Sequence, residues 1–105
     1  KMIIKRVDFS DFLEEFKKHG REEQFSHQGK RALFEYLNEL SESIGEPIEL
    51  DIISICCNFT EYEDLDQFNN DYSYSIGEDI EDIEDIEDYT TVIFIDENRF
   101  IIQDF

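Results

Sequence analysis

The chain has no lysine or arginine between Ala32 and Asn98, a stretch of 67 residues. Residues 32–105 hold 22 acidic residues against the single base Arg99, whereas residues 1–31 hold six acids and eight bases. Random scatter would not leave so long a stretch without a base, so one part of the folded surface is expected to be strongly anionic. The formal net charge of −19 favours solubility and lowers stability through self-repulsion of the compact state.

Length and apolar content predict a single domain over residues 1–105. Hydrophobic residues make up 40% of the chain and include ten Phe and five Tyr, enough for a real core. No apolar run approaches the roughly 18 residues needed to span a bilayer, and no signal peptide is recognisable. Cys56 and Cys57 are expected to be reduced thiols, because a disulfide between neighbours is strained. These features predict a cytoplasmic location.

The first half of the chain predicts a strand, two helices and a second strand. The first strand covers residues 2–7, and N-cap residues followed by helical apolar spacing predict helices over 8–18 and 26–45. Pro47 prevents the second helix from continuing. Residues 48–59 hold a near-continuous apolar run, typical of a strand covered on both faces, with a helix as the alternative.

The second half predicts a helix and a hairpin. An acidic helix is expected to start near Glu61, and β-rich runs at 90–95 and 99–105 flank a polar turn. The predicted order is therefore β-α-α-β-α-β-β. This order indicates an α+β fold in which a small, mostly antiparallel sheet has helices packed on one face.

Residues 78–88 repeat Glu-Asp-Ile three times and then end in Glu-Asp. The period of three places Ile80, Ile83 and Ile86 on one stripe of a helix, which would drift slowly around an α-helix. Eight acids in eleven residues oppose helix formation by mutual repulsion, so an irregular loop is an equal alternative. Residues 73–89 are accordingly expected to form an acidic, flexible insertion in the domain.

The sequence contains no recognisable catalytic or cofactor motif. The two histidines, His19 and His27, have no nucleophile motif near them, and no glycine-rich phosphate loop or zinc spacing is present. Asp64-Leu65-Asp66 begins like a calcium loop, but the central glycine is missing. We therefore expect a non-enzymatic protein with no cofactor and no specific metal site.

The charge distribution suggests two roles, a solvated surface that serves solubility or a mimic of a polyanion. DNA-binding proteins line their grooves with Lys and Arg, and a folded protein that presents carboxylates at a comparable spacing can fill such a groove. Direct binding to nucleic acid is disfavoured by like charges. Tyr62, Tyr72, Tyr74 and Tyr89 are expected either to add exposed contact area or to cap the core with their hydroxyls in water. The acids predicted to bind the partner are Glu61, Glu63, Asp64, Asp66, Asp71, Glu78, Asp79, Glu81, Asp82, Glu84, Asp85, Glu87 and Asp88.

Several segments together resemble a family of small acidic proteins found in phages and prophages. The resemblance covers most of the chain, and it lies in residues 20–26, 32–37, 49–62, 91–93 and 100–105. A phage setting implies an inhibitor of bacterial defence, because anti-CRISPR and anti-restriction proteins are commonly small, acidic and without enzymatic motifs. The repeat at residues 78–88 is longer than the resemblance to this family predicts.

The resulting hypothesis is a phage anti-defence inhibitor, in the first place an anti-CRISPR protein. It would bind a basic nucleic-acid-binding protein or CRISPR effector complex in the cytoplasm of the bacterial host, with no membrane involved. The alternative is a phage accessory protein that regulates a host protein through a mixed or hydrophobic interface.

Overall fold

A computed structural model describes the backbone of residues 2–3, 8–46 and 48–105, with side chains for 8–46 and 50–105. The chain divides into two compact units, Lys1–Asn58 (unit 1) and Phe59–Phe105 (unit 2). Each unit combines helices with antiparallel strands, and the predicted α+β fold class is confirmed. Among the described residues, no helix is both long and apolar enough to cross a membrane.

Unit 1 is built on two helices that begin and end where the sequence predicts. Helix α1, Phe9–Lys18, starts with a capping box in which Asp8 accepts from the Asp11 backbone N–H at 2.9 Å. Helix α2, His27–Ile44, is capped by Ser26 and ends at Gly45, whose φ of 75° is the left-handed conformation that glycine tolerates. A short strand β1, Met2–Ile3, pairs with β2, Ile48–Glu49, and residues 4–7 of the predicted first strand lie outside the described residues.

Aromatic rings from both helices and the connection between them form the core of unit 1. Phe12 and Phe16 on α1 are fully buried. The Phe12 ring lies 5.3 Å from that of Phe34 on α2, and the Phe16 ring lies 5.9 Å from that of Phe25. Each contact joins rings that are distant in sequence, so this aromatic cluster fixes how α1 lies on α2.

The prediction of one buried strand over residues 48–59 is wrong for most of its length. Residues Ile52–Asn58 form helix α3, the alternative that the sequence left open. Asp51 accepts a hydrogen bond from the Ser54 backbone N–H at 3.0 Å, which starts the helix, and only Ile52 and Ile55 are buried among its residues. The two buried residues, Ile52 and Ile55, are three apart as on a helix, but the apolar residues around them made this spacing invisible in the sequence.

Unit 2 contains a three-stranded antiparallel sheet in the order β3-β5-β4. Strand β3 is Phe59–Tyr62, and the predicted hairpin is confirmed as β4, Val92–Phe94, paired with β5, Phe100–Gln103. Helix α4, Leu65–Ile76, begins later than expected because the preceding residues pair with β5, and Asp64 is its N-cap. A 3₁₀ helix, Ile83–Asp88, then leads to β4.

One face of this sheet carries the core of unit 2. Phe100 and Ile102 alternate on β5 and are fully buried. Phe68 of α4 packs on this face, with its ring 5.7 Å from that of Tyr62 and 6.2 Å from that of Phe100. The same cluster takes in two isoleucines of the acidic repeat, so the repeat is packed as part of unit 2.

Candidate partner-binding surface

The acidic repeat of residues 78–88, here called the acidic segment, turns its isoleucines inward and its acids outward. A 3₁₀ helix has three residues per turn, so side chains three apart lie directly above one another. Ile80 and Ile86 are 6% and 0% exposed, Ile83 is partly buried against the same core, and all eight acids are exposed. Ile83 and Ile86 lie in the 3₁₀ helix Ile83–Asp88, where a spacing of three keeps them on one side, whereas Ile80 enters the core from the irregular stretch before that helix.

Hydrogen bonds fasten both ends of the acidic segment. At its start, the Asn69 side-chain amide on α4 donates to the Ile80 carbonyl and accepts from the Ile80 N–H, both at 2.9 Å. Just after its end, the Thr90 hydroxyl donates to the Gln103 carbonyl on β5 at 2.6 Å. Each of these bonds ties the exposed carboxylates to the packed part of unit 2. The backbone and the isoleucines of the segment therefore have partners in unit 2, in spite of the repulsion between its acids.

Two open clefts border the acidic segment. Glu81 lines both of them, because it lies near the middle of the segment. The first cleft is lined by Glu78, Asp79, Ile80, Glu81, Asp85, Asp88 and Tyr89. The second cleft is lined by Leu65, Glu81, Asp82, Ile83, Glu84, Phe94, Asp96, Glu97 and Asn98.

The structure brings most of the predicted acids together and uses some of them internally. Seven acids of the acidic segment line the two clefts, and Glu87 is exposed on the same 3₁₀ helix. Glu63, Asp64 and Asp66 are exposed around the start of α4, where Asp64 accepts from the Gln67 N–H at 3.0 Å. These three acids are exposed but line neither of the two clefts.

Two further predicted acids, Glu61 and Asp71, have side-chain partners within unit 2. The Arg99 guanidinium lies 3.2 Å from the carboxylate of Glu61, whose side chain is only 10% exposed. Asp71 accepts a 2.8 Å hydrogen bond from the Tyr62 hydroxyl. These contacts hold the two carboxylates within the unit, which makes them weaker candidates for a partner than the acids of the acidic segment.

Of the two roles left open for Tyr62, the structure shows the one in the core, with the hydroxyl donating to Asp71. Its ring is buried between Phe68 and Phe100, where the sheet and α4 meet. Burial and the hydrogen bond to Asp71 raise the pKa of the Tyr62 hydroxyl above its usual value of 10.0. Tyr62 therefore belongs to the core and holds Asp71 in place.

Sequence reasoning missed Asp96 and Glu97 as members of the surface. These residues lie in the hairpin turn between β4 and β5, and they line the second cleft with three acids of the acidic segment. Backbone N–H groups of Arg99 and Asn98 donate to Asp96, and these bonds lower the pKa of its carboxyl. The turn was predictable, but no local pattern showed that it lies beside the acidic segment.

Four aromatic rings, here called the aromatic stack, run from the core of unit 2 to the first cleft. Phe68 stacks on Tyr72 at 4.8 Å, and Tyr72 stacks on Phe105 at 4.4 Å between ring centroids. Tyr89 stacks on Phe105 at 5.9 Å and lines the first cleft. The predicted contact residues Tyr72 and Tyr89 thus belong to a stack anchored in the core, whereas Tyr74 is 98% exposed.

Charge is concentrated in unit 2. This unit carries 16 acids and one base, a net charge of −15, whereas unit 1 carries 12 acids and eight bases, a net charge of −4. Among the residues whose side chains are described, no group of three or more His, Cys, Asp or Glu is placed to hold a metal ion. The negative charge of unit 2 suits its surface to long-range attraction of cationic groups.

Comparisons with protein-family models, with curated proteins and with solved structures found no match for this chain.

Proposed function

We propose that unit 2 is a folded polyanion that occupies a basic nucleic-acid-binding surface of a bacterial defence complex, in the first place a CRISPR effector complex. It acts by stoichiometric binding, without catalysis, in the cytoplasm of a bacterial host. The observation that carries this proposal is the acidic segment, whose isoleucines are packed in the core while its eight acids are exposed. This arrangement supports a role for the carboxylates as a shaped binding surface.

The spacing of the carboxylates supports mimicry of nucleic acid. A 3₁₀ helix rises about 2 Å per residue, so the four acids in Ile83–Asp88 are spaced about one per 3 Å along its axis. A single strand of DNA carries one phosphate per roughly 3.4 Å. The four acids form two rows on this helix, Glu84 with Glu87 and Asp85 with Asp88, so the likeness to DNA lies in the density of negative charge along the axis.

Rigid presentation of the acids favours tight binding. A flexible acidic tail loses conformational entropy when a partner orders it, whereas the packed isoleucines and the Asn69 hydrogen bonds order this segment beforehand. Counterions held by the basic groove are released when the protein binds, as they are when DNA binds. Binding should therefore weaken by at least about tenfold between 50 and 500 mM salt.

Competition with nucleic acid tests the proposal. Tagged protein is used to capture a complex from bacteria that carry several defence systems, and the captured complex is then purified and loaded with labelled DNA or guide RNA. We expect the chain and the nucleic acid to exclude each other at equilibrium. Simultaneous binding of both would contradict the proposal.

A charge-reversal variant locates the contact surface. Replacement of four acids of the acidic segment by Lys, at Glu81, Asp82, Glu84 and Asp85, should abolish binding to the captured complex. The matched control makes the same change in charge on unit 1, at Glu14, Glu39, Glu42 and Glu46, all of which are exposed. Equal loss in both variants would indicate an effect of net charge alone, and unchanged binding by the first would exclude the acidic segment.

A mixed interface with a regulatory host protein is the second candidate. Phe94 is half exposed in the second cleft, and Tyr89 and Phe105 are half exposed in the aromatic stack. Such rings add apolar contact area to an acidic surface. In this case binding to the captured protein would change little with salt and would not compete with nucleic acid.

A further inference from the structure

The aromatic stack ends at Tyr89, which lines the first cleft together with several acids. A ring beside carboxylates suits a ligand that is both flat and positively charged. We infer that the first cleft takes an arginine side chain of the protein partner, with the guanidinium lying on the Tyr89 ring and hydrogen-bonded to Asp85 and Asp88. This inference rests on the proposed function, because it names the side chain with which the basic partner enters the acidic surface.

The Tyr89 ring is joined to the core of unit 2 by a series of stacked rings. It is stacked on Phe105 with an interplanar angle of 15°, and Phe105 is stacked on Tyr72 with an angle of 13°. Tyr72 in turn stacks on Phe68, which is fully buried. Tyr89 is nevertheless 48% exposed and lines the first cleft, so an aromatic surface is available to a ligand without rearrangement of the core.

The chemistry of the cleft favours arginine over lysine. A guanidinium is planar and weakly hydrated, so it can stack on a ring while its edge donates two hydrogen bonds to carboxylates. A lysine ammonium is compact and strongly hydrated, so it gains less than a guanidinium from an aromatic face, although Lys30 lies 5.5 Å from the centroid of the Phe16 ring in this chain. Carboxylates alone would attract both residues, so Tyr89 is the group that distinguishes them.

Unit 1 contains the same combination within the chain. The Arg31 guanidinium lies 4.9 Å from the centroid of the Phe9 ring, and its Nε lies 3.0 Å from a carboxylate oxygen of Glu35. Arg31 thus contacts an aromatic ring and a carboxylate at the same time. The first cleft offers the ring and the carboxylates without the arginine.

The test compares octa-arginine with octa-lysine peptides as probes for the full chain. Their affinities are measured by fluorescence anisotropy at 100 mM salt for the wild type, Tyr89→Leu and Tyr89→Phe. We expect the wild type to prefer octa-arginine and the ratio of affinities to fall about two- to five-fold in Tyr89→Leu. Tyr89→Phe should keep the ratio, because it retains the ring. Tyr74→Leu is the matched control and should also keep it, because Tyr74 is 98% exposed.

A second measurement needs no variant. Octa-arginine should shift the ring-proton resonances of Tyr89 in the wild type, whereas octa-lysine at equal occupancy should leave them nearly unchanged. Unshifted Tyr89 resonances with bound octa-arginine, or an equal affinity ratio in wild type and a folded Tyr89→Leu variant, would overturn the arginine site alone. Failure of the wild type to bind either peptide would contradict the proposed function as well.

Discussion

The side-chain amide of Asn69 hydrogen-bonds both the N–H and the C=O of Ile80, each at 2.9 Å. This pairing imitates the contact between two strands, with one side chain in place of a backbone. This pair of hydrogen bonds joins the middle of α4 to the first isoleucine of the acidic segment. It therefore fixes where the chain of isoleucines enters the core. A polar residue on the neighbouring helix therefore acts together with the packed isoleucines in positioning a run of eight acids.

Asn69→Ala should loosen the acidic segment. It removes both partners of the partly buried Ile80 backbone, so we expect a loss of about 1–3 kcal/mol in the free energy of unfolding, measured in urea. Amide hydrogen exchange at Ile80 should also speed up. Asn70→Ala is the matched control, since Asn70 is the exposed neighbour on α4 and should change neither quantity. An unchanged exchange rate in Asn69→Ala would show that these hydrogen bonds do not hold the segment.

Ile86→Ala should be among the most damaging single changes in the acidic segment. Ile86 is fully buried in the core of unit 2, and truncation of such a side chain costs about 2–5 kcal/mol. Ile83→Ala should cost less, because Ile83 is only partly buried on the same stripe. Urea unfolding of the two variants gives the order. A larger cost for Ile83 would contradict the observed register of the repeat.

Tyr62 should make unit 2 sensitive to alkaline pH. The folded protein raises the pKa of this hydroxyl above 10.0, so the neutral form is favoured in the fold. The stability from this group is fully present below pH 10 and is lost as the pH rises further. Tyr62→Phe should cost about 1 kcal/mol at pH 7, through loss of the bond to Asp71, and should flatten the decline above pH 10. Tyr74→Phe is the control, and an equally steep decline in Tyr62→Phe would refute this assignment.

Local sequence signals predicted helices α1 and α2 and the final hairpin because each signal lies within the element itself. Asp8, Ser26 and Gly45 are cap residues whose hydrogen bonds span three or four residues. The α+β class followed from the order of these elements. The prediction of a strand over residues 48–59 was wrong because a continuous apolar run does not show whether its buried positions are two or three residues apart.

The candidate surface was predictable in composition but not in arrangement. The long stretch without Lys or Arg showed from sequence which acids form an anionic surface. It did not show that Glu61 pairs with Arg99 or that Asp71 accepts a hydrogen bond from Tyr62. Arg99 is 38 residues from Glu61 in sequence. The contribution of Phe105 to the aromatic stack is likewise a tertiary contact, with no signal in the neighbouring residues.

Backbone ¹⁵N relaxation of the full chain measures whether the acidic segment is held as firmly as the rest of unit 2. We predict order parameters of about 0.85 for residues 78–88, equal to those of Leu65–Ile76 in α4. Values below about 0.6 in the segment, with α4 rigid, would mean that its carboxylates are not held in place and would contradict the account.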